Sequence, residues 1–167
     1  MSVSENHQLL SPARISRTLT RIAFQIIEDN TESLPICLCG IDERGHALAQ
    51  SISGILNQHR PAQNVSCFKL PVKNEGPAPE LSILTNSFAI IIDDVIFSGN
   101  TMFSALRMID EHRPKMVKVA ALVDRGHRSY PVEADYTGIV SPTKLNEHVR
   151  CLFGEGNTPL KVVINRN

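Results

Sequence analysis

The residues best suited to chemistry are Asp93 and Asp94, adjacent carboxylates that end the apolar run Ala89-Ile90-Ile91-Ile92. Val95, Ile96 and Phe97 follow, then Ser98-Gly99-Asn100-Thr101, and an amphipathic segment starts at Met102. This order describes a buried strand, a polar loop at its carboxyl end, and a helix whose amino end faces that loop. Free backbone N–H groups and the positive end of a helix dipole make such a loop a receptor for phosphate. The hydroxyls of Ser98 and Thr101 add donors, and Gly99 allows close approach and a left-handed backbone. The carboxylates cannot hold a phosphate, because like charges repel; they suit hydroxyl donors or a divalent cation. A ligand with a phosphate at one end and a vicinal diol nearby, such as a ribose 5-phosphate, satisfies both halves. An ordinary strand-to-helix turn would account for the loop but not for the acidic pair.

A second polar segment, Gly40-Ile41-Asp42-Glu43-Arg44-Gly45, lies between an apolar stretch and a helical pattern. Asp42 and Glu43 would weaken anion binding there unless a cation lay between them or they pointed away. A third, Val123-Asp124-Arg125-Gly126-His127-Arg128, carries no generic chemical signature, and its residues alone describe a solvated loop.

The elements that must position these segments are legible from periodicity. Ser11-Pro12 supplies an N-cap and a proline at the first helical position, and Ile15, Leu19, Ile22, Ala23, Ile26 and Ile27 recur at helical spacing through Asn30. Pro35 to Ile41 reads as a buried strand, 42–45 as a loop, and Ala47, Leu48, Ser51, Ile52, Ile55 and Leu56 as the face of a second helix. Val65 to Leu70 is a strand, and Pro71 to Asn86, with three prolines and Gly76, is a loop. Phe88 to Asp94 is the central strand, Thr101 to His112 a helix closed by Pro114, and Met116 to Val123 another strand. Ala134 to Val140 and Leu160 to Ile164 complete the set of strands, with an alternating segment at Glu147 to Phe153. Such alternation predicts an α/β fold, a mainly parallel twisted sheet flanked by helices on both faces. Its ligand would lie at the carboxyl ends of the strands, where the loops after Gly40, Asp94 and Val123 gather.

At 167 residues the chain is expected to form one domain, 1–167, able to bury a sizeable core. Lys plus Arg equals Asp plus Glu, which removes bulk charge as an argument for nucleic-acid binding. No apolar run is long enough to cross a bilayer, and Met1 to Gln8 has neither the basic region nor the apolar core of a secretory signal. Cys37 and Cys39 share one face of a strand, without His or further Cys at ligand spacing, so the four cysteines read as reduced structural thiols in a cytoplasmic protein.

The thirteen residues Ala89 to Thr101 closely resemble the signature of the type I phosphoribosyltransferases. From Ile15-Ser16-Arg17-Thr18-Leu19-Thr20-Arg21-Ile22-Ala23 to Pro142-Thr143 the chain is similar to the bifunctional pyrimidine attenuation proteins and uracil phosphoribosyltransferases, the PyrR family. The resemblance implies transfer of ribose 5-phosphate from phosphoribosyl pyrophosphate to a nucleobase, with uracil favoured, and release of pyrophosphate. It implies that Asp93 and Asp94 bind the ribose hydroxyls and that Asp93 helps position Mg²⁺. Phe97, Ser98, Gly99, Asn100 and Thr101 would take the 5-phosphate, and Ile41, Asp42, Glu43, Arg44 and Gly45 the pyrophosphate. Val123, Asp124 and Arg125 would contact the base, and Phe97, where purine-type relatives often carry an acid, agrees with a pyrimidine. The hood loop of the family is short here, with Lys69 and Lys73 its only cations. The resemblance also implies a dimer or tetramer and, as the alternative role, a nucleotide-sensing regulator with weak or no catalysis. In that role the mRNA leader would meet a patch of Arg14, Arg17 and Arg21 with Arg125 and Arg128, although the three helix arginines read more simply as a solvated face.

Overall fold

In the computed structural model, residues 7–73, 76–77 and 79–166 are described. Most of the N-terminal segment Met1 to Gln8, and positions 74, 75 and 78 of the expected loop, lie outside them. The elements in chain order are β1 (His7–Leu10), α1 (Pro12–Asp29), β2 (Ile36–Ile41), α2 (Asp42–His59), β3 (Val65–Leu70), β4 (Phe88–Ile96), α3 (Asn100–Asp110), β5 (Met116–Asp124), β6 (Tyr136–Val140), β7 (Glu147–Phe153) and β8 (Pro159–Arg166).

Five strands form a parallel sheet in the order β3-β2-β4-β5-β6. Its central strands are apolar on both sides because both faces are covered. Ile36 and Leu38 of β2, with Phe88, Ile90 and Ile92 of β4, pack with the apolar stripes of α1 and α2. The alternate residues Cys37, Cys39, Ile41, Ala89 and Ile91 pack with Met102, Ala105 and Ile109 of α3. Helices on both faces and free, buried Cys37 and Cys39 match the sequence reading. Ser11 Oγ accepts the Arg14 N–H at 3.3 Å, the expected cap, which contributes about 1 kcal/mol to α1.

Two features depart from that reading. The segment 42–45 is the first turn of α2 rather than a loop. Residues 7–10, read as no element, form β1, which joins β8 and β7 in a separate three-stranded antiparallel sheet.

The strand order fixes where a ligand can sit. From β2 the chain moves outward to β3, then returns to the other side of β2 for β4 and continues to β5 and β6. The crevice at this reversal lies between the carboxyl ends of β2 and β4. Pairing of β2 with β4 ends at Gly40 and Ile92, so Asp93 is the first residue of β4 to stand free of β2.

Candidate functional site

Two adjoining cavities occupy that crevice. One, of about 200 Å³, is lined by Phe97, Ser98, Gly99, Asn100 and Thr101 with Asp93 and Lys73. The other, of about 270 Å³, is lined by Ile41, Asp42, Glu43 and Arg44 with Asp93, Asp94 and again Lys73. Asp93 and Lys73 therefore form the wall shared by both, and the acidic pair and the two polar segments come together as their spacing suggested.

The 96–101 loop is held in place through its carbonyl groups. Ile96 O accepts the Arg125 N–H at 2.9 Å, and Gly99 O accepts Phe103 N–H at 2.9 Å. Ser98 O accepts from the N–H groups of Ser129 and Tyr130 at 2.8 and 3.1 Å, and Phe97 O accepts Arg128 Nη1 at 2.9 Å. Four consecutive carbonyls are thus satisfied within the protein, whereas the N–H groups of Ser98, Gly99 and Thr101 have no acceptor among the described residues. That imbalance makes a cradle for an anion. Gly99 caps α3 at φ +82°, a left-handed backbone, and a Cβ there would press on Tyr130 O at 3.3 Å. The Asn100 N–H is spent on Ser98 Oγ at 3.2 Å, leaving the Ser98 hydroxyl proton free to donate.

Beside it the carboxylates are buried, Asp93 at 6% and Asp94 at 7% exposure. Burial, reinforced by the adjacent Asp94 charge, holds the Asp93 carboxyl well above the usual carboxylate range. Asp94 Oδ2 is buried without a hydrogen-bond donor, and its nearest cation is Arg44, whose Nη1 stands 3.6 Å away, beyond hydrogen-bond reach. Two desolvated carboxylates with an orphaned oxygen fit a divalent cation or a pair of hydroxyls. Among the described residues no three His, Cys, Asp or Glu side chains cluster as a metal site. An ion held here would draw its remaining ligands from water and from the substrate, the habit of Mg²⁺.

The second cavity lies at the amino end of α2, pressed onto the sheet. A Cβ at Gly45 would lie 2.3 Å from Ile92 O, so only glycine lets this turn approach the end of β4. The acidic residues of the turn are already engaged. Asp42, at φ +48°, accepts the Val72 N–H at 3.0 Å and the Lys73 N–H at 3.3 Å, and Glu43 pairs with Lys69. Hence Asp42 anchors the segment after β3 and sets Lys73 at the shared wall, a link between distant residues that no local pattern announces. Arg44 remains largely exposed in the cavity.

The residues expected against the nucleobase have their side chains engaged in the protein. Val123 is buried in the core beneath α1 and α2. Asp124 Oδ1 accepts the Gly126 N–H at 2.8 Å, and its Oδ2 accepts Arg128 Nη2 at 2.6 Å. Arg125, 8% exposed, donates Nε to Thr143 Oγ1 and Nη2 to Glu147 O, both at 2.6 Å, and its guanidinium lies 4.2 Å over the Phe97 ring. Of the basic patch envisaged for RNA, Arg125 is buried and Arg128 bonds within the protein, while Arg14 and Arg17 are exposed on α1. Arg21 donates Nη2 to the Thr137 and Gly138 carbonyls, tying α1 to β6. Phe24, on the same helix, is 41% exposed and rests against the His59 ring. Among the described residues no helix is long and apolar enough to cross a membrane.

Comparison with known proteins agrees with this architecture. The hypoxanthine phosphoribosyltransferase of Trypanosoma cruzi superposes with a TM-score of 0.77 at 17% identity, covering 98% of this chain and 97% of that one. A hypoxanthine-guanine phosphoribosyltransferase of Bacillus anthracis gives 0.74 at 19% identity, covering 98% and 99%. At such identities these show the fold. In sequence, the bifunctional protein PyrR of Mycobacterium ulcerans is 35% identical over 97% of this chain and 96% of its own length. That of Synechocystis is 38% identical over 86% of this chain and 87% of its own. With the phosphoribosyl transferase domain matched across residues 5–151, the chain belongs to the phosphoribosyltransferase family, among its PyrR-like members.

Proposed function

We propose that this phosphoribosyltransferase uses uracil as its acceptor and joins it to the ribose 5-phosphate of phosphoribosyl pyrophosphate, giving UMP and pyrophosphate. The observation that carries the assignment is the pairing of an anion cradle at 98–101 with the buried carboxylates Asp93 and Asp94 one step away. The cradle receives the 5-phosphate. The two carboxylates accept the ribose hydroxyls and face the cationic character that builds on the sugar as the bond to pyrophosphate breaks. Asp93 would also help position Mg²⁺, which, when bound, offsets the charge of the pyrophosphate. Arg44 and Lys73, the cations lining the second cavity, draw off the charge of the leaving group.

Uracil suits this site because its ring nitrogen is acidic enough to need no dedicated base. Phe97 offers none, and its ring is covered by the Arg125 guanidinium and flanked by the His127 ring, with centroids 5.3 Å apart.

The test is pyrophosphate release from phosphoribosyl pyrophosphate and Mg²⁺ with uracil, hypoxanthine, guanine or adenine. Uracil-dependent release that is lost in Asp94→Asn supports the assignment. Release with a purine alone overturns the choice of base. UMP binding without release for any base leaves a nucleotide-sensing regulator in place of the enzyme.

A further inference from the structure

We infer that Arg128 is a positioning residue for the phosphate site: held by Asp124, its guanidinium pins the outer side of the 97–101 loop so that the N–H groups of the loop stay turned toward the ligand. The inference rests on the phosphate reading of that loop. In a trans peptide the carbonyl of one residue and the N–H of the next lie in one rigid plane and point opposite ways. Fixing Phe97 O outward, as Arg128 Nη1 does at 2.9 Å, fixes the Ser98 N–H inward. Holding Ser98 O outward, on the Ser129 and Tyr130 N–H groups, does the same for the Gly99 N–H.

Arg128 governs this second clamp as well. Its Nε donates to Val132 O at 2.6 Å, closing the 128–132 turn that carries the Ser129 and Tyr130 donors, and Val132 N–H reaches Tyr130 O at 2.8 Å. The third arm, Nη2 to Asp124 Oδ2 at 2.6 Å, ties the whole clamp to the end of β5. The guanidinium is thus used on all three nitrogens, each by a different segment, and a planar fork is what such a junction needs. An arginine serving only as a surface contact would have no bearing on phosphate affinity.

Calorimetric titration with ribose 5-phosphate and, separately, with Mg²⁺-pyrophosphate tests the idea on the full chain. In Arg128→Met, ribose 5-phosphate is expected to bind about tenfold more weakly while Mg²⁺-pyrophosphate stays within about twofold of wild type, the loss of one charged hydrogen bond at one pocket. Arg128→Lys, able to reach one carbonyl but not three partners, recovers part of the loss. In turnover, KM for phosphoribosyl pyrophosphate rises more than kcat falls. Asp124→Asn keeps the turn acceptor but drops the charge that holds Arg128, and falls between; it decides the matter should Arg128→Met fail to fold. Wild-type affinity for ribose 5-phosphate in Arg128→Met or in Asp124→Asn overturns the inference, as does equal loss at both pockets. Titration of the wild-type protein with ribose reports on the phosphate reading by itself, because equal affinity for ribose and ribose 5-phosphate removes the phosphate from this loop whatever Arg128 does.

Discussion

Asp42 offers a test in which two readings of one carboxylate predict opposite signs. As a bare charge beside the leaving group it should hinder binding, so its removal should tighten pyrophosphate. The structure makes it an anchor. Asp42→Ala strands the N–H of half-buried Val72, at a cost of about 1–2 kcal/mol. The Lys73 N–H, at an exposed position, turns to water and contributes little. Loss of a negative charge from the first turn of α2 adds about 0.5 kcal/mol. Alanine must also hold φ +48°, worth roughly 1 kcal/mol for a residue with no side-chain compensation. The sum is a destabilisation of about 3 kcal/mol, and Asp42→Gly, free of the backbone strain, should be milder by about 1 kcal/mol. Urea unfolding followed by circular dichroism measures both, and calorimetry with Mg²⁺-pyrophosphate measures the site. Weaker binding is expected, since Lys73 loses its tether at the shared wall of the two cavities. An Asp42→Ala protein as stable as wild type that binds pyrophosphate more tightly would refute the anchor.

Three further outcomes follow from the same contacts. A Gly→Ala exchange inside a helix ordinarily gains about 1 kcal/mol, but Gly45→Ala drives a Cβ against Ile92 O and should instead cost roughly 2–3 kcal/mol in urea unfolding, with loss of turnover as α2 lifts from the crevice. Arg125→Met should cost about 2–4 kcal/mol, because it leaves the Glu147 carbonyl and Thr143 without their buried donor; a loss below about 1 kcal/mol would return Arg125 to the solvent-facing role its sequence suggested. Tyr136 donates its hydroxyl to Asp29 Oδ2 at 2.6 Å, and burial first, then that bond, pushes its pKa up. The folded form therefore resists ionisation, so this contribution is complete below the unfolded tyrosine pKa of about 10 and is lost as pH rises beyond it. Unfolding midpoints at pH 8 and at pH 10.5 should draw together in Tyr136→Phe relative to wild type, and an unchanged gap counts against the assignment.

What the sequence could disclose tracks how local the cause was. Asp93, Asp94 and Gly99 could be read because a strand end, an acidic pair and a left-handed cap lie within one short stretch. Each leaves its own mark on residue type. Ser11 and its proline marked the start of α1 for the same reason. The turn at 42–45 was taken for a loop because α2 starts without a capping side chain, on an Asp at positive φ, which leaves the first-turn acids Asp42 and Glu43 as its one local sign of a helix start. β1 was invisible because it exists only by pairing with β8, at the far end of the chain. The arginines are the sharpest case. Arg125 and Arg128 sit among Gly, His and Ser, in a composition that reads as solvated loop, and nothing within several residues shows that Thr143, Glu147 or Phe97 will accept their donors. A long cationic side chain can finish in water or be fully spent inside, and only tertiary partners decide between the two. In this fold they are spent on holding the 97–101 loop and on fastening the antiparallel sheet to the parallel one. Arg125 and Arg128, which the sequence offered to a large anionic partner, thereby organise the protein around the crevice, while Arg14 and Arg17 stay exposed on α1.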